Sequence, residues 1–120
     1  MPVTTAKLVE PLPRIQLPAH EILEGTPDPG GQFTAYTADG RGSAGFWSCG
    51  TGRYEFYFDY DEFIYIVHGE MRVTDKATGA TYALVDGDTA HFPSGVTTIW
   101  EITRPLTKYF VSIGGGESGS

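Results

Sequence analysis

A carboxylate that follows a run of aromatic residues is the feature of this sequence best suited to chemistry. Glu62 comes after a strand-like stretch in which Tyr54, Phe56, Phe58 and Tyr60 occupy alternate positions. Strand alternation places these rings on one face, which we expect to be interior. A carboxylate in such surroundings could act as a general acid or base near neutral pH. The rings could stack on a flat or sugar-like ligand or on a cation, or could simply fill a small barrel.

Lys108 is the second candidate for a catalytic role beside Glu62. It shares a strand face with Phe110, opposite Tyr109 and Val111. If that face is interior, Lys108 could pair with Glu62 or bind a substrate carboxylate. If it is exterior, Lys108 is a solvated charge. Both alternatives stay open at this point.

Thr98 and Trp100 share a strand face, and Trp100 is expected to pack against the floor or rim of the pocket. Glu62 could instead be a buried structural partner of Thr98, of a tyrosine hydroxyl or of Lys108. The candidate ligand-binding residues are therefore the aromatic side chains and the one hydroxyl expected near Glu62: Tyr54, Phe56, Phe58, Tyr60, Thr98 and Trp100.

Short strand candidates separated by turns must position these residues, and no long stretch has helical periodicity. They cover residues 32–36, 45–49, 53–60, 63–67, 71–74, 81–85, 89–92, 98–102 and 108–113. The 16 glycines and 8 prolines are typical of a chain with many turns. The pattern predicts an all-β fold, a two-sheet barrel of the jelly-roll type. Without an internal repeat, the 120 residues should form one barrel.

The chain divides into three parts by composition. Residues 1–31 form a proline-rich N-terminal arm and loop, which could lie against the barrel or against a second subunit. Residues 32–113 form the barrel, and residues 114–120 are a Gly/Ser tail predicted to be flexible. The arm and an apolar outer sheet surface favour a homodimer.

Bulk properties exclude several function classes. The formal net charge of −7 disfavours nucleic acid and anionic membranes as partners. We expect no membrane-spanning helix and no signal peptide, which makes cytoplasmic residence the default prediction. The single cysteine, Cys49, cannot form an internal disulfide and is predicted to be a buried apolar residue.

Two glycine-framed motifs resemble those of the cupin superfamily, G-x5-H-x-H-x(3,4)-E-x6-G and G-x5-P-x-G-x2-H-x3-N. In this chain Gly50, Glu62 and Gly69 match the first motif, and Gly87, Pro93 and Gly95 match the second. The resemblance implies a single-domain cupin, a double-stranded β-helix of RmlC-like type. It also implies that Glu62 is the one metal-binding position retained.

The other cupin metal positions carry residues that are poor ligands. The two histidines of the first motif fall on Phe56 and Phe58, and the histidine of the second falls on Thr98. A mononuclear site needs several converging N, O or S donors, so we expect no metal and no cofactor. The chain is similar to the small cupins of the ethanolamine-utilisation Q-type and ureidoglycine aminohydrolase cupin-domain branch. The residues and segments that carry this likeness are 45–49, Glu62, Gly69, 87–88, 92–95, Trp100, 104–105 and 108–110.

Three functional hypotheses follow. The protein binds a small polar or cationic metabolite in an aromatic pocket around Glu62, without the usual cupin metal. Alternatively, it is a metal-independent isomerase, epimerase or lyase that uses Glu62 as general acid or base. The third hypothesis is a metalloenzyme with displaced ligands, drawn from Glu55, Tyr57 or Asp59 together with His91. The absence of a second obvious acid–base partner favours the binding hypothesis.

Overall fold

The structure, a computed structural model, describes residues 3–114, and antiparallel strands dominate this part of the chain. Its strands are β1 (Ile22–Gly25), β2 (Gly30–Tyr36), β3 (Gly42–Cys49), β4 (Gly52–Tyr57), β5 (Asp61–Asp75), β6 (Thr81–Val85), β7 (Thr89–Phe92) and β8 (Thr97–Ile113). A short 3₁₀ helix, Ala19–Glu21, precedes β1. The strand order is β1-β4-β8-β3-β2, and β5 joins β8 to β6 and β7. The predicted all-β jelly-roll fold is confirmed. Within residues 3–114, no helix is long and apolar enough to cross a membrane.

Two long strands, β5 and β8, hold the barrel together. The first half of β8 pairs with β4 and the second half with β3, while β5 follows β8 along nearly its whole length. The sequence predicted two separate strands within 63–74 and two within 98–113, and this prediction was wrong. The turn residues 103–105 bend β8 without ending it, because register shifts in β5 between Ile66 and Met71 keep the ladder paired through the bend.

Gly69 allows the two long strands to approach each other at this bend. Its φ is +129°, and a Cβ built there would lie 2.7 Å from Leu106 Cα and 2.8 Å from the Pro105 carbonyl oxygen. Asp86 Oδ1 accepts a hydrogen bond of 2.8 Å from the Gly69 amide. Only glycine satisfies both the conformation and the contact, which explains the glycine that closes the first motif.

The core consists of large side chains contributed by several strands of the barrel. Tyr54, Ile66, Met71, Trp100 and Leu106 are among its fully buried members. Phe58, Trp100 and Phe110 belong both to this core and to the wall of the cavity described below. The core therefore supports the cavity directly, without an intervening loop.

The N-terminal arm lies on its own barrel over the residues that make contacts. The Ile15 amide donates to the Pro29 carbonyl, the Gly31 amide donates to the Pro13 carbonyl, and Leu12 is buried. β1 pairs with β4, so part of the stretch 1–31 belongs to the sheet. β1 is short and contains a register shift, so its sequence shows no alternation that would have revealed a strand. Of the predicted tail 114–120, only Gly114 falls within the described residues.

Candidate functional site

Glu62 is the second residue of β5, and its side chain points into the barrel. It lies opposite Ser112 of β8 on one side and Phe92 of β7 on the other. Ser112 Oγ donates a hydrogen bond of 3.3 Å to Glu62 Oε1. The carboxylate is thus held in a buried position by strands on both sides.

Lys108 faces the barrel interior, which resolves the alternative that the sequence left open. Its Nζ donates to Glu62 Oε2 at 2.5 Å, and each of the two side chains is only 6% exposed. The interior positions of β8 in this half are Lys108, Phe110 and Ser112, while Tyr109 is directed to the other face. The second half of β8 therefore carries the cation that neutralises Glu62.

Aromatic rings also surround the Lys108 ammonium group. Its Nζ lies 4.8 Å from the ring centroids of Trp47 and Trp100 and 5.7 Å from that of Phe110. These distances are within the range of cation–π attraction, which partly replaces the hydration lost on burial. An ammonium group has three N–H donors, and Glu62 is the one hydrogen-bond acceptor that it meets among the described residues.

The pair forms part of the wall of an open cavity of about 1020 Å³, which we call the aromatic cavity. Its rings come mainly from β2, β3, β4 and β8 and from the loop after β4. They are Phe33, Tyr36, Phe46, Trp47, Phe56, Tyr57, Phe58, Tyr60, Trp100 and Phe110. Ile15 and Leu17 of the arm complete the wall. The volume is at the upper end of the roughly 300–1,000 Å³ typical of small-molecule sites.

Four of the six predicted ligand-binding residues line the aromatic cavity: Phe56, Phe58, Tyr60 and Trp100. Tyr54 and Thr98 do not. Tyr54 is fully buried, and its hydroxyl donates to the carbonyl oxygens of Gly50 and Thr51.

Thr98 is also buried within the wall. Its Oγ1 donates to the Phe56 carbonyl at 3.1 Å and accepts a hydrogen bond of 2.9 Å from Trp100 Nε1. Thr98 therefore fixes the orientation of the Trp100 indole, and it makes no hydrogen bond to Glu62.

Sequence reasoning missed Glu21 as a second carboxylate of the cavity. The 3₁₀ helix brings it to the wall, and burial raises its pKa, with a smaller opposing effect from His20. Burial also raises the pKa of the Tyr60 hydroxyl, and the negative charges of Glu62, Asp59 and Glu21 add to this shift. Glu21 lies in the proline-rich arm, which the sequence placed against either the barrel or a second subunit, and no pattern indicated that Glu21 itself would enter the cavity wall. Trp47, Phe110 and Ser112 were also missed as cavity residues, although alternation along β3 and β8 could have found them.

Cys49 is buried beside this region without entering the cavity wall. Burial raises the pKa of its thiol to about 11, although a hydrogen bond with Tyr54 and the positive charge of Lys108 act in the opposite direction. The thiol is therefore protonated at neutral pH, which argues against a role as nucleophile.

The usual cupin metal does not fit the side chains found here. Phe56 and Phe58 offer no donor atom, and the Lys108 ammonium lies at hydrogen-bond distance from Glu62, where a metal ion would need to bind. Between residues 3 and 114, no three His, Cys, Asp or Glu side chains come together as a metal-binding group. In the proposed displaced set, Glu55 pairs with Lys76 and His91 with Asp61.

A comparison with protein families matches this fold and motif pattern. The model of the EutQ-like cupin domain matches residues 36–110, which is more than half of the chain. The chain belongs to the EutQ-like cupin family. The resemblance inferred from the glycine-framed motifs is thereby confirmed. Among curated proteins, this EutQ-like cupin has no match.

Solved structures share the fold of this EutQ-like cupin. A Salmonella typhimurium protein, described provisionally as ethanolamine utilization protein Q, is 21% identical with a TM-score of 0.64, over 74% of this chain and 72% of its own. A DUF861 family protein from Thermotoga maritima is 29% identical with a TM-score of 0.52, over 54% and 73%. A Ralstonia eutropha protein, described provisionally as a mannose-6-phosphate isomerase, is 14% identical with a TM-score of 0.68, over 94% and 100%.

Proposed function

We propose that this EutQ-like cupin binds a small polar metabolite in the aromatic cavity, against the Glu62–Lys108 pair and without the usual cupin metal. The observation that carries the proposal is a 2.5 Å ion pair, 6% exposed at each partner, in the wall of an open cavity. The aromatic rings of the wall form a supporting surface around this polar centre.

The energetics of the pair support a functional role. Two charges removed from water lose hydration free energy that their mutual attraction only partly returns, and a hydrophobic pair of similar size is often as stable or more so. A jelly-roll barrel of this size can be filled with apolar side chains alone. An ion pair beside an open cavity is therefore better explained by a ligand than by stability.

The pair can recognise both sides of a polar group. Lys108 has N–H donors left after it donates to Glu62, and the Glu62 oxygens can accept more than the two hydrogen bonds from Lys108 and Ser112. A ligand that carries an acceptor next to a donor can thus bind both side chains at once. The low polarity of the surrounding rings strengthens such hydrogen bonds.

A metal-independent isomerase, epimerase or lyase is the second candidate, and the additional carboxylate Glu21 favours it. Glu62 would take a proton from the carbon next to a carbonyl group, and the electron pair would move to the carbonyl oxygen held by Lys108. Return of a proton to the other face of the same carbon gives an epimer. Where that carbon carries a hydroxyl group, transfer of the hydroxyl proton to the former carbonyl oxygen and of the carbon-bound proton to the former carbonyl carbon gives an isomer with the carbonyl moved by one position. Glu21 would supply a second carboxylate and Tyr60 a hydroxyl donor in the same cavity.

A metabolite-library screen by thermal shift and ligand-observed NMR tests the binding proposal. Wild type should bind at least one compound, and the double variant Glu62→Gln/Lys108→Met, which keeps both side-chain volumes, should lose that binding. The matched control is Glu55→Gln/Lys76→Met, which removes an ion pair of 3.2 Å outside the aromatic cavity. Equal loss in both variants, or no ligand for wild type, contradicts the proposal.

Deuterium exchange separates the two candidates. The bound compound is incubated with protein in D₂O, and its carbon-bound hydrogens are followed by NMR. Exchange that wild type catalyses and Glu62→Gln does not would establish proton transfer. Unchanged hydrogens in a compound that binds would leave the protein as a binder.

A further inference from the structure

We infer that the ligand of the aromatic cavity is an uncharged polyhydroxy compound, such as a monosaccharide or a cyclitol. This inference rests on the proposed binding function and specifies its ligand class. The argument comes from the charges already present in the cavity wall and from the polar groups left free for a ligand.

The protein's own lysine already fills the place that a cationic ligand would take. A cation would bind over the indole rings, but the Lys108 ammonium lies 4.8 Å from the centroids of both Trp47 and Trp100. A second positive group there would meet the Lys108 charge in poorly hydrated surroundings. The aromatic wall is thus unfavourable for cations in this chain, although rings of this kind attract them elsewhere.

An anionic ligand is disfavoured by the carboxylates of the same wall. Any anion that reaches Lys108 also approaches Glu62, which lies 2.5 Å from Nζ. Glu21 and Asp39 add negative charge, and Arg41 is the one further cation among the described wall residues. Three carboxylates against two cations leave a wall that does not attract an anion.

Hydroxyl groups match the hydrogen-bond donors and acceptors that the Glu62–Lys108 pair leaves unused. A hydroxyl is both donor and acceptor, so neighbouring hydroxyls can donate to Glu62 and accept from Lys108 without adding charge. The Ser112 hydroxyl already makes one such contact with Glu62 Oε1 at 3.3 Å. The C–H faces of a sugar ring can pack on Trp47 and Phe56, whose rings meet edge to face in the wall and are only partly buried.

Calorimetric titration with matched compounds tests the ligand class. The neutral probes are D-glucose, D-mannose, D-galactose, D-xylose, L-rhamnose and myo-inositol. Their charged counterparts are the corresponding aldonates, 6-phosphates and 2-amino sugars where these exist. We expect at least one neutral probe to bind, with its charged counterparts weaker by about tenfold or more. Its Kd should stay within about twofold between low and high NaCl, because no net charge is bound.

Variants then test whether the neutral probe binds in the aromatic cavity. Glu62→Gln/Lys108→Met should weaken the neutral probe by about tenfold or more, whereas Glu55→Gln/Lys76→Met should not. If the first variant fails to fold, Ser112→Ala replaces it and should weaken binding severalfold, since it removes the hydroxyl beside Glu62. Unchanged binding in the folded cavity variant contradicts the inference.

The failures of the two proposals are distinguishable. A charged compound that binds more tightly than every neutral probe overturns the ligand class and leaves the binding function standing. The absence of any ligand, from both the sugar panel and the metabolite library, overturns the binding function itself.

Discussion

Lys108 reaches Glu62 past one interior position of the sheet, because the two residues are not opposite each other. Glu62 lies opposite Ser112, and Lys108 lies opposite Ile66, four residues or about 13 Å further along the strand. The two side chains extend toward each other beside Phe110 and meet at 2.5 Å. The contact therefore depends on the extended conformation of a long side chain inside the barrel, and this makes the pair sensitive to either partner.

Removal of one partner of this pair should destabilise the protein strongly. Lys108→Met leaves a buried carboxylate without its cation, and Glu62→Gln leaves a buried ammonium without its anion. Each change should lower the free energy of unfolding by about 3–5 kcal/mol. The double variant Glu62→Gln/Lys108→Met should recover most of this loss, because neither charge remains. Urea denaturation of all four proteins measures the coupling, and additive losses in the double variant would contradict it.

Gly69→Ala should be far more harmful than Gly79→Ala. The new Cβ at Gly69 would meet backbone atoms of Leu106 and Pro105 within 2.8 Å, at φ +129°. We expect a loss of about 3 kcal/mol or more. At Gly79 the φ is +76° and nothing lies within 4 Å, so only the left-handed strain of about 1–2 kcal/mol applies. Urea denaturation compares the two, and equal losses would show that the bend tolerates a side chain.

The contact of Glu10 with the barrel should make the docked arm sensitive to acid. A hydrogen bond from His68 is the main cause that lowers the pKa of Glu10 from 4.5, with a further contribution from Thr107. Because the pKa is lowered on folding, the stabilisation is present above pH 4.5 and is lost as the pH falls through the lowered value. It should amount to less than about 1 kcal/mol, since the carboxylate is partly exposed to screening solvent.

Glu10→Gln provides the measurement for this effect. The difference in unfolding free energy between wild type and Glu10→Gln should be present above pH 4.5 and should vanish as the pH falls through the lowered pKa of Glu10. Glu101→Gln is the comparison, since Glu101 is an exposed carboxylate of β8 that makes no side-chain hydrogen bond or ion pair among the described residues. A difference that grows as the pH falls would contradict the assignment.

The Cys49 thiol should be unreactive in the folded protein. It is 2% exposed, and its pKa is raised to about 11, so little thiolate exists and reagents cannot reach it. A colorimetric disulfide reagent should label it slowly in native protein and rapidly in guanidinium chloride. Fast labelling of native protein would show that the barrel opens beside Trp47.

The homodimer expected from the sequence stays a prediction. Phe63 and Tyr65 on the outer face of β5 are 43% and 47% exposed, which leaves an apolar surface for a second copy. Light scattering after size exclusion should give the mass of a dimer for wild type and that of a monomer for Tyr65→Lys. A wild-type protein that is monomeric at high protein concentration would contradict the prediction of a homodimer.

The sequence alone determined the fold and the lack of metal-binding side chains at the histidine positions of the cupin motifs. Gly50, Gly69, Gly87 and Gly95 stand at spacings set by the backbone, and Pro93 fixes a turn between them. Such positions tolerate few other residues, so a single chain reveals them. Phenylalanine at positions 56 and 58 cannot bind a metal in any conformation.

The tertiary structure alone decided how the polar site is assembled. Alternation showed that Lys108 shares a face with Phe110, but the opposite face carries Tyr109 and Val111, so apolar content could not tell inside from outside. Glu21 reached the cavity through contacts of an arm that has no periodic pattern. Both outcomes depend on pairing between residues far apart in the chain, and local sequence preferences carry no information about such pairing.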